Sequence, residues 1–264
     1  MFRDSGILLG MSPSSPRKRR WPRVLAILVG VLLLSLGLVG LAAHHAPTVT
    51  TPGADADALA REMVQAVGGD AWARTGAVHW RMFGHEYLWD RPRGFVRVDW
   101  GKTRVLLDVN KQSGRVFSDG KELASGPEHD KAIKRAYAFF INDMFWLNPV
   151  VKAFDDGTSR ARGELDGKRA LLISYASGGL TPGDRYLWIL DGNARPERWR
   201  LWVSVLPVGG VESTWEGWTQ LATGAWVATR HRMLGLDAVV AKEVRGAGTL
   251  QELEPGPDAF AGLQ

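Results

Sequence analysis

The 264-residue sequence contains no cysteine. That excludes a disulfide framework, a thiolate metal site, a cysteine nucleophile and a lipid-modified cysteine after a leader, so the fold must rest on its core. The compact catalytic signatures are missing too: no Gly-x-Ser-x-Gly elbow, no phosphate-binding glycine loop, no paired histidines at metal-ligand spacing and no dinucleotide fingerprint. No cofactor or metal is implied, and the expectation is a protein that is not an enzyme. Catalytic groups scattered over several strands would leave no such mark, so hydrolysis stays open as a lesser alternative.

Excess charge is also absent outside one short segment. Six of the 33 Lys and Arg (Arg3, Arg17, Lys18, Arg19, Arg20 and Arg23) and only one acid, Asp4, precede residue 24, which leaves 27 bases against 27 acids in the remainder. The basic balance therefore belongs to a leader and gives no reason to expect nucleic-acid binding. Residues 24–43 are twenty uncharged, mostly aliphatic residues. As a helix they span roughly 30 Å, the thickness of a bilayer's hydrocarbon core. With the basic residues 1–23 holding the amino terminus in the cytoplasm, this reads as a single-pass inner-membrane anchor with a periplasmic carboxy-terminal domain. The small residues Gly40 and Ala42 supply the spacing a signal peptidase uses, which would instead release the domain into the periplasm.

Residues 44–56, rich in Pro, Thr, Ala and Gly, read as a tether, and residues 57–264 as one domain. Leu59, Ala60, Met63, Val64 and Val67 recur at helical steps until Gly68-Gly69 stops them. From Gly76 the period becomes two. Strands are expected near 77–89, 95–100, 103–109 and 115–123, joined by turn chemistry too short for anything but antiparallel pairing. Residues 127–147 break the series as a long helix, with Ile133, Tyr137, Phe140, Met144 and Leu147 on one stripe and Pro149 as its stop. Strands then resume near 158–165, 168–176, 185–191, 197–206, 211–221, 225–235 and 238–246. The fold class is α+β, mostly β, with about ten strands.

Val96, Val98 and Trp100 share a strand face, as do Val105, Leu107 and Val109, and Leu201, Val203 and Val205. Trp makes up 12 of the 25 aromatic residues; indoles suit both an apolar ligand cavity and ordinary cross-strand packing. His79, Arg81, Phe83, His85, Tyr87 and Trp89 alternate onto one face of a single long strand, read as a surface face. His79 and His85 then lie about 20 Å apart, too far to share a metal. Asn142 and Asp143, inside an aromatic helix end, are the most informative polar pair: a base, a grip on a ligand headgroup, or a pair that caps the helix end or satisfies a neighbouring loop.

Several stretches carry a family likeness: Val67-Gly-Gly-Asp-Ala-Trp72, Phe139-Phe-Ile-Asn-Asp-Met-Phe-Trp-Leu147 with Pro149 and Asp155-Asp-Gly157, Leu187-Trp-Ile-Leu-Asp-Gly-Asn-Ala-Arg-Pro-Glu-Arg-Trp199, and Trp215-Glu-Gly-Trp218 with Val227-Ala-Thr229. With the order helix, meander, helix, meander, the chain resembles the periplasmic lipoprotein-carrier (LolA/LolB-like) superfamily over about residues 57–262. The resemblance implies a strongly curved antiparallel sheet, a half-open barrel whose helices plug an apolar cavity for acyl chains. Its lining candidates here are Trp80, Met82, Val96, Val98, Trp100, Val105, Leu107, Phe140, Met144, Leu201 and Val203. Expected partners are a lipid or lipoprotein acyl chain and the membrane through residues 24–43. The alternative is an envelope scaffold docking a protein through a face such as Arg198, Arg200 and Trp202, and the lesser one a hydrolase using Asp143 or His85.

Overall fold

The computed structural model describes residues 51–177, 181–206 and 208–263. The leader and the apolar run 24–43 lie outside these residues; among the described residues no helix is long and apolar enough to cross a membrane. The first half holds β1 (Thr51–Pro52), α1 (Ala54–Ala66), α2 (Gly69–Arg74), β2 (Ala77–Met82), β3 (His85–Asp90), β4 (Phe95–Trp100), β5 (Thr103–Asp108), β6 (Ser113–Ser118) and β7 (Lys121–Glu122). After the long helix α3 (Pro127–Leu147) and a short 3-10 turn come β8 (Thr158–Leu165), β9 (Lys168–Tyr175), β10 (Arg185–Leu190), β11 (Pro196–Trp202) and β12 (Val211–Thr214). The chain closes with β13 (Thr219–Gln220), β14 (Trp226–Val227), β15 (Arg230–Met233), β16 (Leu236–Val240), β17 (Lys242–Ala247) and α4 (Leu250–Leu253).

The fold is thus α+β and mostly β, built of open antiparallel sheets, and among the described residues none closes into a barrel. In place of one ten-stranded sheet there are two larger ones, in the orders β17-β2-β3-β4-β5-β6-β7 and β1-β8-β9-β10-β11-β12, with two-stranded ribbons β13-β14 and β15-β16. The division falls where the expected strand 211–221 breaks at Gly217, at positive φ, and the expected strand 225–235 breaks between Val227 and Arg230. Strand β11 stops at Trp202, so Val205 is exposed rather than sharing a face with Leu201.

Local chemistry explains the helix ends. Helix α1 begins at Ala54, inside the segment read as tether, with Asp55 and Asp57 in its first turn where the dipole favours acids, and Gly68 follows it in the left-handed conformation. Helix α3 starts with Pro127, whose missing N–H costs nothing at that position, and ends just before Pro149. Its buried stripe is Ile133, Ala136, Phe140, Asp143 and Leu147; Tyr137 and Met144, expected on it, are half-buried at its margin.

Strand β2 was expected to run on to residue 89, but it turns at Phe83-Gly84, both at positive φ, and β3 returns beside it in the register Trp80↔Tyr87. The turn reverses the face assignment. His79 and Arg81 lie on the other face and reach Glu86, but His79 is buried there rather than at the surface, whereas Tyr87 joins Val96, Val98, Val105 and Leu107 beneath α3. A leucine or phenylalanine in left-handed backbone costs about 1–2 kcal/mol, which is why such a turn is not read from Phe-Gly.

Each larger sheet packs its inner face into a core. The seven-stranded sheet meets Ile133, Ala136 and Phe140 of α3; the six-stranded sheet meets Leu59, Ala60 and Met63 of α1, with Trp188, Trp199 and Trp215 at its centre. Trp146 and Val151 pack against both cores, so the end of α3 is their seam. The outer face of the seven-stranded sheet is covered by the carboxy-terminal segment, which sets Leu253, Phe260 and Leu263 on Ala77, Leu88 and Leu106. Two ion pairs clamp it: Arg93 grips both oxygens of Asp258 at 2.6 and 2.9 Å, holding that carboxyl down at about 2, and Arg97 meets Glu254 at 2.8 Å. Phe260 is fully buried. Phe260→Ala is therefore expected to destabilise the domain by about 3–5 kcal/mol, read from urea unfolding, through lost burial plus a cavity.

Candidate functional site

Asp143 is 1% exposed on the buried stripe of α3. It does not cap the helix. The Tyr87 hydroxyl donates to its Oδ2 at 2.6 Å, His85 Nδ1 donates to the same oxygen at 2.9 Å, and Asn142 Nδ2 donates to Oδ1 at 2.9 Å. Because a carboxylate only accepts, these contacts fix His85 with its Nδ1 proton toward Asp143. Burial, reinforced by the Asp143 charge, pushes the Tyr87 phenol far above its ordinary range, so it stays a donor. Aromatic faces hold both donors in place: Trp80 stacks on Tyr87 with centroids 4.4 Å apart, and Phe139 on His85 at 3.8 Å. His85 Nε2 has no hydrogen-bond partner among the described residues, and the ring borders an open groove of about 720 Å³ with Met82, Phe83, Trp100 and Lys242.

A second concavity, about 200 Å³ and mostly apolar, lies at the other side of the helix end, against β9 and β10. Ile141, Met144, Phe145, Tyr175 and Tyr186 form its walls; Lys152, Asp155 and Asp184 form part of its rim. The rings of Phe145, Tyr175 and Tyr186 sit 5.1–5.8 Å apart in tilted and edge-on contacts and continue into Trp199, 4.7 Å from Tyr186. Burial pushes the Tyr175 and Tyr186 phenols up as well, so both remain neutral.

The sequence candidates divide between the two cores. Trp80, Met82, Val96, Val98, Val105, Leu107 and Phe140 are buried together beneath α3, with Trp100 and Met144 packed at the margin, while Leu201 and Val203 belong to the other core. The inner faces are filled by side chains. Only Met82 and Trp100, at the groove, and Met144, at the smaller concavity, line the openings described above. Tyr175, Tyr186 and Phe145 were not among the candidates, because only the pairing of β9 with β10 sets the two tyrosines opposite Phe145 on the helix. Asp143 did carry a legible signal. It falls at a stripe position, three after Phe140 and four before Leu147, where a polar residue must find buried partners.

Comparison with family models and with curated proteins finds no match to the chain. Among the described residues no three His, Asp or Glu side chains converge as a metal site.

His231, fully buried on β15, is wedged between Trp146 and Trp215 at 5.3 and 4.3 Å and donates through Nδ1 to the Thr214 carbonyl at 3.0 Å. Burial lowers its pKa to about 4, against the opposing pull of the Thr214 and Trp146 carbonyls. The unfolded chain, with an ordinary histidine near 6.5, binds the proton first as pH falls, so stability declines from pH 6.5 down through 4. Denaturant titrations should show about 3 kcal/mol lost over that window. His231→Leu should remove this part of the pH dependence.

Proposed function

We propose that this domain is a membrane-tethered, periplasmic half-barrel of the lipoprotein-carrier type. On this reading the two larger sheets form one curved wall that binds the acyl chain of a lipid or lipoprotein without chemistry. The observation that carries the reading is the apolar concavity beside Met144, Phe145, Tyr175 and Tyr186, placed where α3 seams the two cores. At about 200 Å³ it is smaller than the roughly 300–1,000 Å³ usual for a whole ligand, so it takes the leading stretch of a chain, and the rest enters as α3 shifts.

Magnitudes permit that shift. Burying about eight methylenes contributes about 6 kcal/mol, against about 3–5 kcal/mol for separating Asp143 from its buried partners. The remainder of the α3 stripe is apolar, and lipid methylenes replace it on like terms. Residues 24–43 would keep the domain at the inner membrane, or the domain would act free in the periplasm if the leader is removed. A protein docked on the face of Arg198, Arg200 and Trp202 gains no support from packing, since Trp202 is buried on Leu172 and Leu187 and both arginines pair with Glu212.

One geometric fact favours a second reading, hydrolysis. A buried carboxylate holds Nδ1 of His85, a residue that lines a groove, the pairing used to orient a general base for water.

For binding, uptake of a fluorescent fatty acid by the full chain is expected at micromolar concentration. Met144→Arg should abolish it, and Tyr87→Phe, which weakens the hold on α3, should speed it severalfold; uptake unchanged in both variants would refute the assignment. For hydrolysis, ester turnover that is lost in His85→Gln while fatty-acid uptake persists would favour the second reading, and no turnover in the parent would end it.

A further inference from the structure

Four two-residue hairpin turns pair a left-handed residue with a left-handed glycine: Phe83-Gly84, Asp119-Gly120, Asp166-Gly167 and Leu234-Gly235. Aspartate followed by glycine is what this turn geometry selects, because aspartate tolerates positive φ and keeps its side chain in water. Phenylalanine and leucine oppose both preferences. Phe83 is 49% exposed, Leu234 99% and its neighbour Leu236 74%. Leu234 buries nothing in the domain, so its presence at a strained tip serves something outside it.

The two hairpins meet where the second is rooted, not at its tip. Val240 and Lys242, where β16 runs into β17, line the same groove as Phe83 and Gly84. The β15-β16 hairpin is therefore rooted beside the first tip, and its strand carries Leu236 about 13 Å from Val240.

We infer that these tips dock on a lipid bilayer, with Phe83, Leu234 and Leu236 entering its interface. The length of chain before the domain selects lipid as the occupant. Thr51 is pinned to β8 opposite Arg162, and only residues 44–50 separate it from the apolar run ending at Ala43. Seven residues reach at most about 25 Å. Taking 24–43 as the membrane segment, the one part of the proposed function used here, the domain never leaves the bilayer, and shallow apolar tips suffice to orient it. The hairpin's charge fits a headgroup layer: Arg230 and Arg232 share the single acid Asp237, at 4.0 and 3.7 Å, which leaves one net positive charge beside the leucines.

The absence of native cysteine makes the test clean. Leu234→Cys, Phe83→Cys and, as a control on another turn, Asp166→Cys are each labelled with a nitrobenzoxadiazole dye in the full chain. Each is reconstituted into vesicles of phosphatidylethanolamine and phosphatidylglycerol containing doxyl lipid. Quenching at positions 83 and 234 at least twofold above that at 166 is expected. Equal quenching at all three positions, in protein that floats with the vesicles, overturns the docking and leaves the tether standing. Protein that does not float overturns both. A blue shift at 234 without lipid quenching identifies a protein partner and likewise overturns the proposal.

Discussion

The carboxylate of Asp143 sits 2.6 Å from the Tyr87 hydroxyl and 2.9 Å from His85 Nδ1, on a helix face otherwise made of Ile133, Ala136, Phe140 and Leu147. Apolar packing alone would let α3 slide, because one methyl-lined surface resembles the next. Moving the helix by one turn, about 5.4 Å, would strand the carboxylate without its donors, a loss of about 3–5 kcal/mol for a broken buried polar pair. One polar contact thus fixes the register of the helix that covers the inner face of the seven-stranded sheet and ends at the seam of the two cores.

The two cores differ in kind. Beneath the first half of α3 the filling is mixed aliphatic and aromatic, with Val96, Val98, Val105 and Leu107 from adjacent strands in register. Beneath its end the filling is aromatic: Trp188, Trp199 and Trp215 lie within 5.0 Å of one another, and Trp146 and His231 extend the cluster. Large rigid rings leave gaps at their edges that aliphatic chains would fill, which accounts for a concavity beside Tyr175 and Tyr186 and for solid packing beneath Phe140. The buried indole nitrogens of Trp188, Trp199 and Trp215 have no partner among the described residues, so shape and area, not polar complementarity, hold this half together.

The surface obeys a different constraint. Asp-Gly tips at 119 and 166 satisfy the backbone and the solvent at once, while the tips at 83 and 234 satisfy neither. A domain whose apolar residues were placed only for folding would have no use for Leu234. Its exposure separates the requirements of the fold from those of the surroundings in which the fold works.

Sequence alone determined the long helix, its first and last residues, and most of the hairpins, because 3.6- and two-residue periods, Pro127, Pro149 and the Asp-Gly pairs are local properties of the chain. It also marked Asn142 and Asp143, and it named His85 and Asp143 as separate candidates 58 residues apart. Only the tertiary structure brought those two together, because a turn at Phe83-Gly84 that no turn preference announces reverses the face on which His85 lies. The covering of the outer face by Leu253, Phe260 and Leu263, and the meeting of Phe145 with Tyr175 and Tyr186, were likewise decided by strand order and register. Periodicity says which side of a strand is apolar; which other segment meets that side depends on contacts distant in sequence.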